Sequence, residues 1–321
     1  MDKKTVLVCG ATGFMGTNIV KKLLLNENYN VYGVGMKRIN SDLDAIDAFI
    51  STDLTAKQNV NLLFETYKPD IVIQAAANTS GSKDIVERPY LHVTDNALMN
   101  ANILQACYDY DVKHFLFLSC GVMYNPEKSP VKETDFSLDE EMHKNYFGVG
   151  WTKVYVEKLC EFYSRLGKTK HTAIRHSNTY GPNDKYDLEK SHMFGATVTK
   201  VMESNEGEAI TVWGDGLTER DLLYVDDVVD FIEIAMEKQD EPYELINVSY
   251  GDSFSVKEIV EKIIAASGKN LSIEFDLSKP SINTKLVLNN ELAYSKFGWK
   301  PGHSIDEGIK KTINWYKDNL R

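Results

Sequence analysis

Thr5-Val6-Leu7-Val8-Cys9-Gly10-Ala11-Thr12-Gly13-Phe14-Met15-Gly16 is the stretch that decides the fold. Thr5–Cys9 is a β-branched, apolar run that reads as a strand, and Asn18–Leu25 beyond the glycines reads as an amphipathic helix. Between them Gly10 suits a tight turn, Gly13 lets backbone approach a pyrophosphate, and Gly16 permits close helix–strand packing. The helix N-terminus adds unpaired N–H groups and the positive end of a dipole. Loops collect glycine by chance, but this trio follows a strand, precedes a helix and heads a series of similar units. It reads as a dinucleotide-binding turn.

Strand-like runs at Val31–Gly35, Ala48–Ser51, Ile71–Ala75, His114–Leu118 and Thr172–Arg175 alternate with helical stretches at Ala56–Tyr67, from Pro89 to about Tyr110, and Tyr146–Leu166. This βαβ rhythm predicts parallel strands with helices on both faces, wound right-handedly. Past residue 180 the rhythm breaks at the turn Gly181-Pro182-Asn183-Asp184. Helical runs at 189–203, 226–238, 256–266 and 305–319 then alternate with Ile210–Trp213, Leu222–Val225 and Leu245–Val248. The expectation is an α/β chain: a doubly wound parallel sheet of Rossmann type over residues 1–180, and a smaller substrate-binding lobe over 181–321. Some segments of that lobe return to the main sheet.

The chain has 321 residues with 36 Lys and Arg against 47 Asp and Glu, a formal charge of −11. That balance argues against nucleic-acid binding, which needs clustered cations, but leaves room for one anionic small molecule. Cys9, Cys107, Cys120 and Cys160 are scattered without a Cys-x-x-Cys pair, which speaks against a Cys-built zinc site and a disulfide scaffold and fits a reducing cytoplasm. No run approaches the roughly 20 apolar residues of a membrane span.

The order of motifs resembles the extended short-chain dehydrogenase/reductases, the NAD-dependent epimerase/dehydratase family. The matching residues are the glycine trio, Asp53-Leu54, Ala75-Ala76-Ala77, Asn96, Ser119 to Tyr124, Lys153 and Asn178-Thr179-Tyr180-Gly181-Pro182. Arg220-Asp221 before Tyr224-Val225-Asp226-Asp227 completes the set. Within the family, Glu157-Lys158-Leu159-Cys160-Glu161 and Ser191-His192 are similar to the GDP-L-fucose synthase type. The resemblance implies NAD(P) held by Gly10, Thr12, Gly13, Phe14, Met15, Gly16, Asp53, Leu54, Ala75, Ala76, Asn96 and Lys153. It also implies a nucleoside-diphosphate sugar substrate, GDP-linked, as in capsular polysaccharide or deoxysugar synthesis. Val34-Gly35-Met36-Lys37-Arg38 has no carboxylate for a ribose 2′-hydroxyl. Lys37 and Arg38 suit a 2′-phosphate and favour NADP; a solvated basic loop compatible with NAD is the other reading.

The family's proton-handling set is a Ser or Thr with a Tyr and a Lys spaced Tyr-x-x-x-Lys, the lysine lowering the phenol's pKa. Here Lys153 matches, but Val149 stands at the tyrosine and Cys120 at the hydroxyl. Tyr146, seven residues before Lys153, falls within about 20° of the same helix face. His192 aligns with the acid of the GDP-fucose synthase type, and His176 replaces a proline near the expected nicotinamide. Cys120 either assists or packs. These losses point to simple hydride exchange at sugar C4. A 3,5-epimerase/4-reductase using His192 and a catalytically silent binding subunit are the rivals.

The same resemblance assigns Asn178, His192, Trp213 and Arg220 to the nucleotide sugar, Arg220 as a bidentate donor to phosphate. Leu98, Ile103, Val154, Val156 and Phe162 form apolar stripes on two helices, which in the family pair across a two-fold axis. A homodimer or larger homo-oligomer is expected.

Overall fold

The computed structural model describes residues 3–36, 46–79, 87–188, 191–278 and 285–320. In chain order the strands are β1 (Lys4–Cys9), β2 (Tyr29–Gly35), β3 (Ala48–Ser51), β4 (Ile71–Gln74), β5 (His114–Cys120) and β6 (Lys170–His176). There follow β7 (Asn178–Tyr180), β8 (Ala209–Trp213), β9 (Glu219–Arg220), β10 (Leu222–Tyr224), β11 (Tyr243–Val248), β12 (Phe254–Ser255) and β13 (Ser272–Asp276). The helices are α1 (Phe14–Leu23), α2 (Lys57–Tyr67), α3 (Thr94–Asp109), α4 (Phe147–Ser164) and α5 (Met193–Glu203). Beyond them lie α6 (Val225–Lys238), α7 (Val256–Ser267), α8 (Glu291–Phe297) and α9 (Ile305–Asn319).

One seven-stranded sheet carries the order β11-β6-β5-β4-β1-β2-β3, and every neighbouring pair in it is parallel. Successive strands step one way from β1 to β3 and the other way from β4 to β6. The reversal leaves a crevice outside the carboxyl ends of β1 and β4, where doubly wound sheets bind ligands.

Strand alternation divides the core between two faces. Val6 and Val8 pack with Ile19, Val20, Val228 and Ile232 on one side. Leu7 and Cys9 pack with Phe64, Leu104, Phe115 and Cys160 on the other. The second half also forms three two-stranded pairs: β10 with β7, β12 with β9, and β13 with β8. Ser255–Glu258 and Ser304–Glu307 capping boxes start α7 and α9, each worth about 1 kcal/mol.

Three expectations change. The helix from Pro89 is broken: Pro89–His92 is a 3₁₀ turn, Val93 sits at φ −112° and ψ −72°, and α3 begins at Thr94. Tyr146 is not in the helix, because it closes a 3₁₀ turn and α4 begins at Phe147. Of the five stripe residues only Leu98 and Phe162 are exposed, at 50% and 54%. Ile103 and Val156 fill the sheet core, and Val154 packs with Met123, Tyr124 and Leu288, since both helices must first cover their own sheet.

Candidate active site

The glycine loop is built by close approach of backbone. Gly10 has φ +81°, and a Cβ there would lie 2.6 Å from the amide nitrogen of Ala76. A Cβ on Gly16 would lie 2.0 Å from the Gly10 carbonyl oxygen, so only glycine lets α1 start against the turn. Val34 O accepts from Gly10 N–H (2.8 Å) and Ala11 N–H (3.0 Å), stitching the loop to β2. Gly13 is the N-cap of α1 and offers no side chain to the helix's first N–H groups. Thr12 lies over Gly35, whose Cβ would come 3.0 Å from Thr12 Oγ1, and Phe14 and Met15 are half-buried in the first turn. This cradle fits a dinucleotide pyrophosphate: a Cβ would fill it, and a helix N-terminus opens onto it.

The other residues assigned to the cofactor line or support the same edge. Ala75 N–H donates to Cys9 O at 3.0 Å, which joins β4 to β1 beside the loop. The Asn96 amide is fully used: Oδ1 accepts from Asn78 N–H (2.8 Å), and Nδ2 donates to Asn78 O (3.1 Å) and His92 O (3.0 Å). It shapes the loop after β4. Asp53 is exposed and accepts from Thr55 N–H (2.9 Å) and Thr55 Oγ1 (2.7 Å), which hold its carboxyl below the usual range. Leu54 is buried beneath it. Lys37 and Arg38 lie outside the described residues.

Lys153, Cys120 and His176 gather at the carboxyl edge of the sheet. Cys120 and His176 are register partners at the ends of β5 and β6. Lys153 Nζ donates to Leu118 O at 2.6 Å and stands 4.7 Å from the Phe117 ring centroid. Burial lowers the Lys153 pKa, against the pull of Cys120 and Glu157. Burial raises that of the Cys120 thiol, which Lys153 opposes. His176 falls to about 4, through burial and then the nearby Lys153. Its Nδ1 lies 2.9 Å from Ser177 O, which can only accept, so we assign the proton to Nδ1 and the lone pair to Nε2. The cluster thus sets a lysine whose charged form burial disfavours near a neutral imidazole and a thiol that burial keeps from ionising.

Val149 and Lys153 line a small pocket with Ala77, Thr79, His92 and Asn96. Under this edge Arg175 makes a bidentate pair with Glu157, at 3.0 Å and 2.6 Å. Ser119 Oγ donates to Glu157 at 2.5 Å, Arg175 donates to the Tyr124 hydroxyl at 2.8 Å, and Tyr124 donates to Asn247 at 2.8 Å. Sequence reasoning missed this network. The available signal was Glu157, a carboxylate four residues after Lys153 on a helix whose other buried residues are uncharged.

The remaining candidates fall in two further places. Tyr146 is close enough to Arg220 to stabilise its charge; burial, the larger effect, lowers the Arg220 pKa. Arg220 Nη1 donates to Glu219 O at 2.8 Å. Beside it Asp221 clamps the lobe, accepting from Tyr250 N–H (3.0 Å) and Leu288 N–H (3.2 Å). Asn178 donates through its backbone and side chain to Asp221 O, at 3.1 Å and 3.3 Å. Trp213 ends β8 with its ring largely exposed. His192 is the N-cap of α5 without a capping bond, its pKa lowered by its surroundings and by Lys185 and His92. Lys185 Nζ donates to Thr79 O at 2.9 Å, joining the lobe to the pocket's rim.

The chain is similar to known proteins along its whole length. Residues 6–249 match the model of the NAD dependent epimerase/dehydratase family. The chain is 26% identical to GDP-L-colitose synthase of Yersinia pseudotuberculosis over 97% of each chain. It is also 26% identical to GDP-L-fucose synthase of Sinorhizobium fredii, over 100% of this chain and 98% of that one. Among solved structures, the UDP-glucose 4-epimerase of Thermotoga maritima with UDP-glucose superposes with a TM-score of 0.87. It shares 26% identity, covering 99% of this chain and 100% of the other. Among the described residues no helix is long and apolar enough to cross a membrane.

Proposed function

The chain belongs to the NAD dependent epimerase/dehydratase family, and from that premise we propose that it is an NAD(P)-dependent oxidoreductase of a GDP-linked sugar, exchanging hydride at C4. The observation that carries this reading is the convergence at one sheet edge: the glycine cradle at β1 and the Lys153–Cys120–His176 cluster at β5 and β6. A bound nicotinamide dinucleotide would supply the hydride acceptor or donor. Gly10, Gly13 and Gly16 would hold its pyrophosphate, and Lys153 its ribose. His176 Nε2, unprotonated at neutral pH, would accept a hydrogen bond from a sugar hydroxyl. Arg220 and Trp213 would hold the nucleotide diphosphate and base, with Asn178 beside them. Lys37 and Arg38 favour NADP. The catalytic site is atypical in this reading, with Val149 and Cys120 at the tyrosine and hydroxyl positions.

A second reading, a GDP-4-keto-6-deoxy-sugar 3,5-epimerase/4-reductase, is favoured by His192 lying near His92 and Lys185, whose contact with Thr79 reaches the pocket. Residues 1–180 would carry the cofactor and 181–321 mainly the sugar nucleotide. Leu98, Tyr155 and Phe162, exposed on α3 and α4, would pair across a two-fold axis in a homodimer.

Denaturing freshly purified protein and identifying the released molecules by mass tests the proposal. Release of NADP or NAD with a GDP-sugar supports it. Release of nothing, followed by failure of added dinucleotide to bind, overturns it in favour of a silent binding subunit.

A further inference from the structure

His92 lines this pocket, and no reading above gives its side chain a role. It is 4% exposed, and its Nε2 is buried without a hydrogen-bond partner. The neighbouring amides differ: Asn96 is saturated by backbone, and Asn100 donates to Asn96 O (2.7 Å) while accepting from Gln74 (3.1 Å). His92 is also held in place. Its carbonyl accepts from Asn96, and Val93 beside it presses on the start of α4, where a Cβ on Gly148 would come 2.9 Å from Val93 Cγ2. It therefore lines the same pocket as Val149 and Lys153 on a fixed backbone.

A buried imidazole nitrogen left without a partner costs about 1–3 kcal/mol, and a ligand group that reached it would remove that cost. Val149, facing the same space, can make no hydrogen bond. We propose that His92 is a sugar-binding residue: Nε2 hydrogen-bonds a hydroxyl of the bound sugar at the place where Val149 offers none. Thr79, whose carbonyl is tied to Lys185, lies at the pocket edge from which that hydroxyl would enter. The inference rests on the nucleotide-sugar reading of this site and adds a contact to the sugar itself.

The test is titration calorimetry of the full chain and of His92→Phe and His92→Gln, with GDP-mannose and UDP-glucose and with the sugar-free GDP and UDP. The expected result is that His92→Phe weakens the sugar nucleotide about tenfold while leaving the bare diphosphate within about twofold, as loss of one hydrogen bond requires. His92→Gln, which keeps a polar group there, should recover most of that loss. In the wild type, the His92 ring resonance should move on adding the sugar nucleotide and not on adding the bare diphosphate. Equal affinity of wild type and His92→Phe for the sugar nucleotide overturns the inference and leaves the functional reading intact. So does an equal loss for the bare diphosphate, which marks a merely structural role. If the wild type binds none of the four, the nucleotide-sugar reading falls and takes this inference with it.

Discussion

Val149 lies one helical turn before Lys153 on α4, and the two side chains line the same pocket. In the proposed reading, an aliphatic group thus occupies the place from which a phenol would reach a sugar hydroxyl beside the lysine. Val149→Tyr should restore that group. Positioned proton transfer contributes about 10²–10⁴-fold, and we expect kcat to rise at least about tenfold in a steady-state hydride-transfer assay. An unchanged or lower kcat in a folded variant would mean that this pocket handles no substrate proton.

Gly16→Ala should abolish dinucleotide binding. Its Cβ would meet the Gly10 carbonyl 2.0 Å away, and that contact is backbone, so either α1 or the turn must move. We expect at least a tenfold weaker NAD(P) titration, roughly one lost hydrogen bond to phosphate or more, with the sheet's circular dichroism retained. Wild-type affinity would show that the loop tolerates the shift.

Glu157→Gln should be far more damaging than a surface change. Arg175 is buried and satisfied chiefly by this carboxylate, the two side chains each 3% exposed. Breaking such a pair leaves a charge without its counter-charge and costs about 3–5 kcal/mol. Urea denaturation measures this directly. The apolar double variant Glu157→Leu with Arg175→Met should lose less than Glu157→Gln alone, and a larger loss would refute the desolvation argument.

Stability should fall on acidification. Burial holds His114 at about 4, His171 at about 3 and His176 at about 4, all below the ordinary 6.5. Between those values the unfolded chain binds more protons than the folded one, so stability is complete above about pH 6.5 and declines as pH drops toward 4. Half-buried Asp184 and buried Asp221, each raised to about 6, act in the opposite sense over pH 4 to 6. The imidazole shifts are larger in sum, so the net effect is a loss, measurable as a falling Tm from pH 7 to 4.5. Both ring nitrogens of His171 are buried without partners. His171→Leu should therefore stabilise the fold by about 1 kcal/mol at pH 7 and flatten the acid limb. A destabilised variant at both pH values would show that its packing outweighs its unpaired nitrogens.

Much of this was legible in the chain. Ala48–Ser51 coincides with β3, and the Thr5–Cys9, Ile71–Ala75 and His114–Leu118 runs match β1, β4 and β5 to within two residues. Buried parallel strands are continuous apolar runs and announce themselves locally. Less visible were β7, which follows β6 after a single residue, and β13, whose Ser-Ile-Glu-Phe-Asp is mostly exposed. Helix starts also slipped. Whether Tyr146 or Phe147 opens α4 depends on how the 3₁₀ turn Lys144–Tyr146 docks, and periodicity carries no record of docking.

The sequence by itself determined the glycine turn, the βαβ order and the absence of a tyrosine four residues before Lys153, because each depends on spacing along a few residues. Only the tertiary structure decided that Cys120 meets His176, that Arg175 lies bonded to Glu157, and that His92 shares a pocket with Val149. Those pairs are separated by 18 to 57 positions in the chain. Sheet register and helix docking bring them together, and both are settled by the burial of the whole core rather than by any residue's neighbours in sequence.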